Sequence, residues 1–170
     1  MSKPPDQKRR QQKRSSGSGI VVSTTGHILT NHHVVEGCRS LRAVSGAMVE
    51  AAGISVRPKS EPPATTATQG PFRGRPLKVL DVDAQNDLAL LKSATASSTS
   101  GVFRSGRGIR TGEGVVVAGF PLPSLLSTDL NVTTGVVSAL AGPGNNRRLI
   151  QITAPVQPGN SGGPVLDQFG

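Results

Sequence analysis

The sequence predicts an all-β protein that is built from many short strands. Its 170 residues include 21 glycines and 13 prolines but only 2% aromatic residues, and Val, Ile and Thr recur in short runs. Gly and Pro interrupt regular elements and weaken helix interiors. The length suits one ordinary domain or two very small ones, with enough chain to bury a core. Short strands between turn signals favour a barrel or sandwich over alternating βαβ units.

The first half contains four predicted strands and one predicted loop. Residues 19–23 and 26–30 are apolar runs around a Thr-Thr-Gly turn, which is typical of a β-hairpin. Two further strands are predicted over residues 77–82 and 87–92, separated by a short polar turn. Residues 59–75 are rich in Pro, Thr and Gly, so this segment is predicted to be an exposed loop.

The second half contains four more predicted strands, over residues 114–119, 130–140, 148–153 and 163–166. A run of small polar residues, SATASSTS, separates the two sets of strands. The sequence therefore predicts a first β unit over residues 17–92, a linking region over 93–110 and a second β unit over 111–170.

The net charge of +9 is concentrated at the beginning of the chain. Residues 1–14 hold six lysines and arginines against one aspartate, with no apolar residue after Met1. Residues 1–16 are therefore predicted to form a disordered basic arm. No apolar run follows that could serve as a signal peptide, and no run has the length of a transmembrane helix. The compartment stays open, because a single cysteine, Cys38, excludes only an intrachain disulfide.

The segment Gly159-Asn160-Ser161-Gly162-Gly163 is the strongest local signal of chemistry. A serine nucleophile needs a base and donors for the oxyanion, and flanking glycines let successive N–H groups face one hollow. The letters also fit the G-x-S-x-G elbow of α/β-hydrolases, in which the acid and then the histidine follow the serine. No histidine follows Ser161. A triad here must therefore run in the order His, Asp, Ser.

The histidine and the aspartate of such a triad must precede Ser161 in the chain. His32 and His33 directly follow a predicted strand, and Asp87 precedes the apolar run LALLK. A carboxylate at that strand end could fix the tautomer of an imidazole, although Asp81 and Asp83 lie nearby as competitors.

A metal site is not predicted, although the chain has a third histidine, His27. Adjacent residues of an extended segment point to opposite faces, and no cysteine or carboxylate stands at ligand spacing. No cofactor is predicted either, because a triad supplies its own base and electrophile.

Four segments, GSGIVVSTTGHILTNHHVV, NDLALLK, TTGVVSAL and QPGNSGGPV, resemble in order the motifs of the HtrA/Deg-type trypsin-like serine proteases. The resemblance runs from Gly17 to the end of the sequence, with a divergent stretch between Cys38 and Arg75. It implies the chymotrypsin fold, which has two perpendicular six-stranded β-barrels and a catalytic site in the cleft between them. Residues 17–92 and 111–170 would then form the N-terminal and the C-terminal barrel.

The resemblance also implies a serine endopeptidase that works through an acyl-enzyme. Its motifs assign His33 as the base instead of His32, Asp87 as the orienting acid and Ser161 as the nucleophile. The oxyanion hole would be formed at Gly159, Asn160 and Ser161, with the N–H groups of Gly159 and Ser161 as donors.

The substrate-binding segment implied by the resemblance contains Pro155, Val156 and Gln157. A trypsin-like pocket would be expected to carry an acid at the position of Pro155, so the resemblance implies small or apolar P1 residues and not Arg or Lys. Polypeptides are the implied substrates, and a homo-oligomer is an implied assembly. Relatives are often periplasmic or cell-envelope proteins.

The family pattern continues with further strands and a helix beyond the matched motifs. The second barrel is therefore expected to be incomplete, with an unpaired edge, unburied apolar surface and no partner for residues 164–166. An alternative function follows from this, namely a catalytically silent fragment or pseudoprotease that binds peptides or partner chains. Binding of nucleic acid or membranes through the basic arm ranks last, because the chain has no Trp or Tyr to stack on bases.

Overall fold

Two antiparallel β-sheets make up the computed structural model, which describes residues 15–45, 52–58, 74–121 and 130–169. The first sheet has seven strands in the order β1-β5-β4-β6-β7-β3-β2. A helix of four residues, α1 (His32–Val35), follows its third strand. The strands are β1 (Ser15–Gly17), β2 (Ile20–Val21), β3 (His27–Thr30), β4 (Cys38–Ser45), β5 (Ala52–Pro58), β6 (Arg75–Asp83) and β7 (Leu88–Ser93).

The second sheet has four strands in the order β10-β9-β8-β11. A short 3₁₀ turn, Pro143–Asn145, lies between its second and third strands in the chain. Within the described part of the chain, no helix is long and apolar enough to cross a membrane. The strands are β8 (Gly114–Gly119), β9 (Asn131–Ala139), β10 (Gln151–Ile152) and β11 (Val165–Leu166).

The first sheet closes on itself. Its two edge strands, β1 and β2, are consecutive in the chain and are separated only by Ser18 and Gly19. The three Cα–Cα steps from Gly17 to Ile20 span at most about 11 Å, so the sheet must curl until its edges nearly meet. The curled sheet encloses an apolar core made of Val21, Ile28, Val34, Val35, Leu41, Ala89 and Leu91. The result is a barrel, which is one of the two architectures that the strand pattern favours and the one that the family resemblance implies.

The second sheet covers a smaller core and leaves apolar surface exposed. Val115, Val117, Val137 and Ala154 form this core. A cleft of about 580 Å³ lies beside β8 and β11, and its lining includes Phe103 and Phe169. These two rings are 67% and 83% exposed. The second unit is thus a partial barrel in the described residues.

Most of the predicted strands are present, with some corrections. The hairpin is confirmed, because β2 pairs with β3 in antiparallel register. Residues 164–166 were expected to lack a partner, but β11 pairs with β8. The predicted arm includes residues 15 and 16, whereas the structure places them in β1, paired with β5. Residues 1–14 of that arm, and residues 59–73 of the predicted loop, lie outside the described part of the chain.

An ion cluster fixes the segment that leads into β8. The Arg104 guanidinium donates to both carboxylate oxygens of Glu113, at 2.9 and 3.1 Å, and Arg107 also contacts this carboxylate. The backbone N–H of Arg110 donates to it at 3.2 Å. The hydrogen bond from Arg104 is the largest of the effects that lower the pKa of Glu113 to about 2, against a smaller opposing effect of burial.

We expect Glu113→Gln to lower the melting temperature at neutral pH, and to do so less as the pH falls. A carboxylate with a lowered pKa stabilises the folded state above its unfolded pKa, and this contribution is lost as the pH drops through the folded value. The stabilising contribution of Glu113 is therefore lost between pH 4.5, the ordinary pKa of the group, and about pH 2. Thermal unfolding across this range measures the effect, with the exposed Glu36 as the control in Glu36→Gln. A difference from wild type that stays constant with pH would contradict the prediction.

Candidate active site

His33 and Asp87 form a hydrogen-bonded pair between α1 and the turn that precedes β7. The His33 Nδ1 atom lies 2.6 Å from Asp87 Oδ2, and the backbone N–H of His33 donates to Asp87 Oδ1 at 2.8 Å. An ionised carboxylate can only accept hydrogen bonds, so Nδ1 carries the proton in this pair. The Nε2 atom of the neutral ring is then left as an acceptor.

The backbone of Asp87 is also held by the start of α1. Its carbonyl accepts hydrogen bonds from the His32 N–H at 3.1 Å and from Asn31 Nδ2 at 2.8 Å. Asp87 has a φ of +55°, in the left-handed region that Asp and Asn tolerate better than most residues. Four contacts therefore fix an unusual backbone conformation that presents the carboxylate to His33.

The pair is open to solvent, with side chains of His33 and Asp87 that are 53% and 45% exposed. Partial burial raises the pKa of Asp87, but the hydrogen bonds from the N–H and imidazole of His33, together with the charges of His33 and His32, bring it below its usual range. Ion pairs this exposed contribute little to stability. The contact therefore orients the imidazole more than it stabilises the fold.

The competing acids have other partners. Asp83 accepts from the backbone N–H of Asn86 at 3.0 Å and from its amide at 2.6 Å. Asp81 accepts from the N–H of Val82 at 2.9 Å. Among the described residues, neither of these carboxylates is hydrogen-bonded to a histidine. The structure thus pairs the carboxylate that the family resemblance implies, and not its neighbours, with His33.

The imidazoles of the remaining histidines form no hydrogen bond with His33 or Asp87. His27 Nδ1 contacts the hydroxyls of Ser23 and Thr25, at 2.7 and 3.1 Å, in the hairpin turn. The His32 imidazole forms no hydrogen bond with any residue that the structure describes. Within the same ranges, no group of three His, Cys, Asp or Glu side chains is placed to hold a metal ion.

Ser161 lies in a tight turn over residues 157–163, which we call the serine loop. The N–H of Asn160 donates to the carbonyl of Gln157 at 3.0 Å, and the N–H of Gly163 donates to that of Asn160 at 2.8 Å. Gly159 and Gly162 have φ values of +102° and +82°. Glycine is the residue that adopts such values without strain, which explains the glycines around the serine.

The serine loop packs against the segment that carries His33. A Cβ atom on Gly162 would lie 2.2 Å from Thr30 Oγ1, directly before α1. A Cβ on Gly17 would lie 2.7 Å from the Val34 side chain and 3.1 Å from the Ser161 carbonyl. The loop therefore lies against Thr30, which precedes His33 in the chain, and Gly17 lies between Ser161 and Val34, which follows it. The Ser161 hydroxyl itself forms no hydrogen bond with a described residue, so the serine loop lies beside the segment that carries His33 without a hydrogen bond between Ser161 and His33.

The backbone N–H groups around Ser161 differ in whether they have a hydrogen-bond partner among the described residues. The Asn160 N–H is held in the turn, whereas the N–H groups of Gly159 and Ser161 donate to no residue in the described ranges. Two unused donors that flank a nucleophile can bind a negatively charged oxygen. The residues named for substrate binding lie beside them on the surface, with Val156 59% exposed.

Two residues of this region were not identified as site residues from the sequence. Ser18 is fully buried and contacts the serine loop, and Asn31 holds the Asp87 carbonyl. Both lie within the motif that includes His33, where polar side chains interrupt an otherwise apolar pattern. These polar residues within the motif were the sequence signal that could have marked Ser18 and Asn31 as parts of the site.

Comparison with known sequences gives a consistent result over most of the chain. The sequence model of the family described as "Trypsin-like peptidase domain" matches residues 17–170. An uncharacterised Sinorhizobium fredii protein, y4bJ, is 43% identical over 90% of this chain and 20% of its own length. The putative serine protease HhoB of a Synechocystis species is 29% identical over 90% of this chain and 32% of its own length.

The solved structures that match this chain include an HtrA-type protease. The structure described as "HtrA-type protease AlgW with decapeptide" superposes with a TM-score of 0.61 and 27% identity. The match covers 89% of this chain and 39% of that one. The chain thus spans between a fifth and two fifths of the length of these three proteins.

Proposed function

Because the chain belongs to the trypsin-like peptidase family, with HtrA/Deg proteases among its relatives, we propose that it hydrolyses peptide bonds as a serine endopeptidase. In this proposal His33, Asp87 and Ser161 form the triad. The observation that carries it is the double contact of Asp87 with the N–H and the imidazole of His33, beside the serine loop.

The proposed reaction begins when the Ser161 hydroxyl attacks a peptide carbonyl and His33 Nε2 takes its proton. The imidazolium then protonates the leaving amine, and an acyl-enzyme remains. Water repeats these steps and releases the acid. Asp87 keeps its negative charge throughout and holds the ring in the tautomer that leaves Nε2 as an acceptor.

The negative charge that develops on the carbonyl oxygen needs donors. We assign this role to the N–H groups of Gly159 and Ser161, with Asn160 between them as the turn residue. Their availability supports the assignment, because the Asn160 N–H is already bonded to Gln157. One donor of this kind is typically worth about 10²- to 10³-fold in rate.

The proposed substrates are polypeptides with small or apolar P1 residues. A relative of similar fold is described as an HtrA-type protease with a decapeptide, which supports the substrate class. Pro155 stands where a pocket for Arg or Lys would be expected to place an acid, and Val156 offers an exposed apolar side chain beside it. The homo-oligomer implied by the family resemblance stays a prediction.

The test is covalent labelling of the purified chain with a fluorophosphonate, beside the variant Ser161→Ala. We expect labelling in the wild type and none in the variant, since only an activated serine reacts with this reagent. Two peptidyl diphenyl phosphonates that differ only in P1, valine or lysine, test the pocket. The valine probe is expected to label faster.

A folded wild-type chain that is not labelled would contradict the proposal for this chain and favour the catalytically silent alternative. Equal labelling of Ser161→Ala would assign the reactivity to another residue. Faster labelling by the lysine probe would leave the triad in place and overturn the assignment of the pocket.

A further inference from the structure

We propose that Ser18 is a positioning residue that holds the serine loop in the conformation in which the N–H groups of Gly159 and Ser161 face the substrate. This inference rests on the proposed peptidase function. Ser18 lies between β1 and β2 of the first sheet, whereas the serine loop leads into β11 of the second sheet. It therefore connects the two halves of the molecule at the proposed site.

Every polar atom of Ser18 is used. Its hydroxyl lies 2.8 Å from the Gly159 carbonyl and 2.8 Å from the N–H of Phe120. The N–H can only donate and the carbonyl can only accept, so the hydroxyl proton must point to Gly159. The Ser18 N–H donates to the Ser161 carbonyl at 2.8 Å, and its carbonyl accepts from Thr30 Oγ1 at 2.7 Å.

These bonds fix the peptide groups that adjoin the proposed oxyanion donors. The peptide between Gly159 and Asn160 is held at both ends, through its carbonyl by Ser18 and through its N–H by Gln157. The Ser161 carbonyl is held by the Ser18 N–H. Because each peptide group is planar, fixing these two limits how the N–H groups of Gly159 and Ser161 can turn.

Two internal hydrogen bonds hold the serine loop, and the rest of its own sequence favours flexibility. Gly159 and Gly162 are the residues with the most backbone freedom. The Oδ1 atom of Asn160, a residue that is only 6% exposed, has no hydrogen-bond partner among the described residues. A buried acceptor without a donor is unfavourable and favours rearrangement. The contacts with Ser18, which is 0% exposed, oppose that rearrangement from outside the loop.

We expect Ser18→Ala to lower the maximal rate constant of phosphonate labelling about 10- to 100-fold, with little change in the concentration for half-maximal rate. The alanine leaves the Gly159 carbonyl and the Phe120 N–H without a partner, so the serine loop moves while the substrate-binding surface stays. Ser18→Cys keeps a weak donor of similar size, so its maximal labelling rate constant is expected to lie between those of the wild type and Ser18→Ala. It also serves as the test if the alanine variant does not fold.

The matched control is Ser93→Ala. Ser93 is a buried serine, 7% exposed, whose hydroxyl accepts from the nearby N–H of Thr95 at 3.1 Å. Ser93→Ala should lose some stability, though less than Ser18→Ala, and keep the wild-type labelling rate. A wild-type maximal rate in Ser18→Ala, or an equal loss in Ser93→Ala, would overturn the proposal.

Hydrogen exchange of the Asn160 and Gly163 amides separates this inference from the proposed function. Both amides are bonded within the serine loop, so their exchange reports whether the loop is held. We expect faster exchange in Ser18→Ala than in Ser93→Ala, whether or not the wild type is labelled. Absent labelling of the wild type would reject the peptidase function, and unchanged exchange in Ser18→Ala would reject the role of Ser18.

Discussion

Asp87→Asn is expected to lower the rate of peptide hydrolysis about 10⁴-fold while the protein stays folded. The carboxylate accepts from both the N–H and Nδ1 of His33, at 2.8 and 2.6 Å. An asparagine has one oxygen for these two contacts, and its amide nitrogen can only donate. If the oxygen stays on the N–H, the amide faces Nδ1 and forces the ring proton onto Nε2. The base then has no free acceptor for the serine proton.

The stability of the Asp87→Asn variant should be close to that of the wild type. The pair is about half exposed, and asparagine tolerates the φ of +55° as well as aspartate does. Hydrolysis of a peptide with an apolar P1 residue and thermal unfolding are the measurements.

Asp83→Asn is the matched control for this substitution. It removes the same charge beside the same turn, but among the described residues Asp83 bonds to Asn86 and to no histidine. It should keep the wild-type rate. Equal rates for the two variants would contradict the role assigned to Asp87.

Gly162→Ala is expected to cost about 3 kcal/mol of unfolding free energy or more, and to abolish labelling of Ser161. About 1–2 kcal/mol come from a side chain in the left-handed region, at a φ of +82°. Overpacking adds about 1–3 kcal/mol, because the new Cβ would lie 2.2 Å from Thr30 Oγ1 and 2.3 Å from the Ser18 carbonyl. These two atoms bond to each other, so relief of the clash breaks that bond as well.

Gly112→Ala separates the two contributions in the same thermal unfolding experiment. Gly112 has a similar φ of +87°, but a Cβ there would meet nothing within 4 Å. It should therefore show only the backbone cost, with a fall in melting temperature of about 2–8 °C. A Gly162→Ala variant that melts with Gly112→Ala would show that the serine loop adapts to the methyl group.

The strands of the second half could be predicted better than those of the first. The run over β8 is apolar and ends in turns, and its predicted bounds agree with Gly114–Gly119. β4 was not predicted, since its sequence, CRSLRAVS, carries charges among small residues and has no clear alternation. The run LALLK of β7 shows no alternation in the sequence, but its burial alternates, with Leu88 exposed and Ala89 and Leu91 buried. Only pairing with distant strands decides such cases.

The candidate site could be located from the sequence to the extent that it is local. The glycines around Ser161 and the order of the motifs predict the proposed site residues, because each of these signals lies within a short stretch of sequence. The contact of Ser18 with Gly159 joins residues 141 positions apart, and no local pattern contains that information. The grip of Asn31 on Asp87, across 56 positions, is of the same kind.

The long sequence separation between Ser18 and Gly159 also affects when the proposed site can form during synthesis. Ser18 leaves the ribosome before Gly159, which lies 141 residues later in the chain. The hydrogen bond from the Ser18 hydroxyl to the Gly159 carbonyl can form only after both residues have emerged. Contacts of such sequence separation form late, because a long loop must close before they can be made. A nascent chain can thus complete the first sheet while its serine still lies within the exit tunnel. In the proposed peptidase, the contacts between Ser18 and the serine loop therefore form after the first sheet is complete.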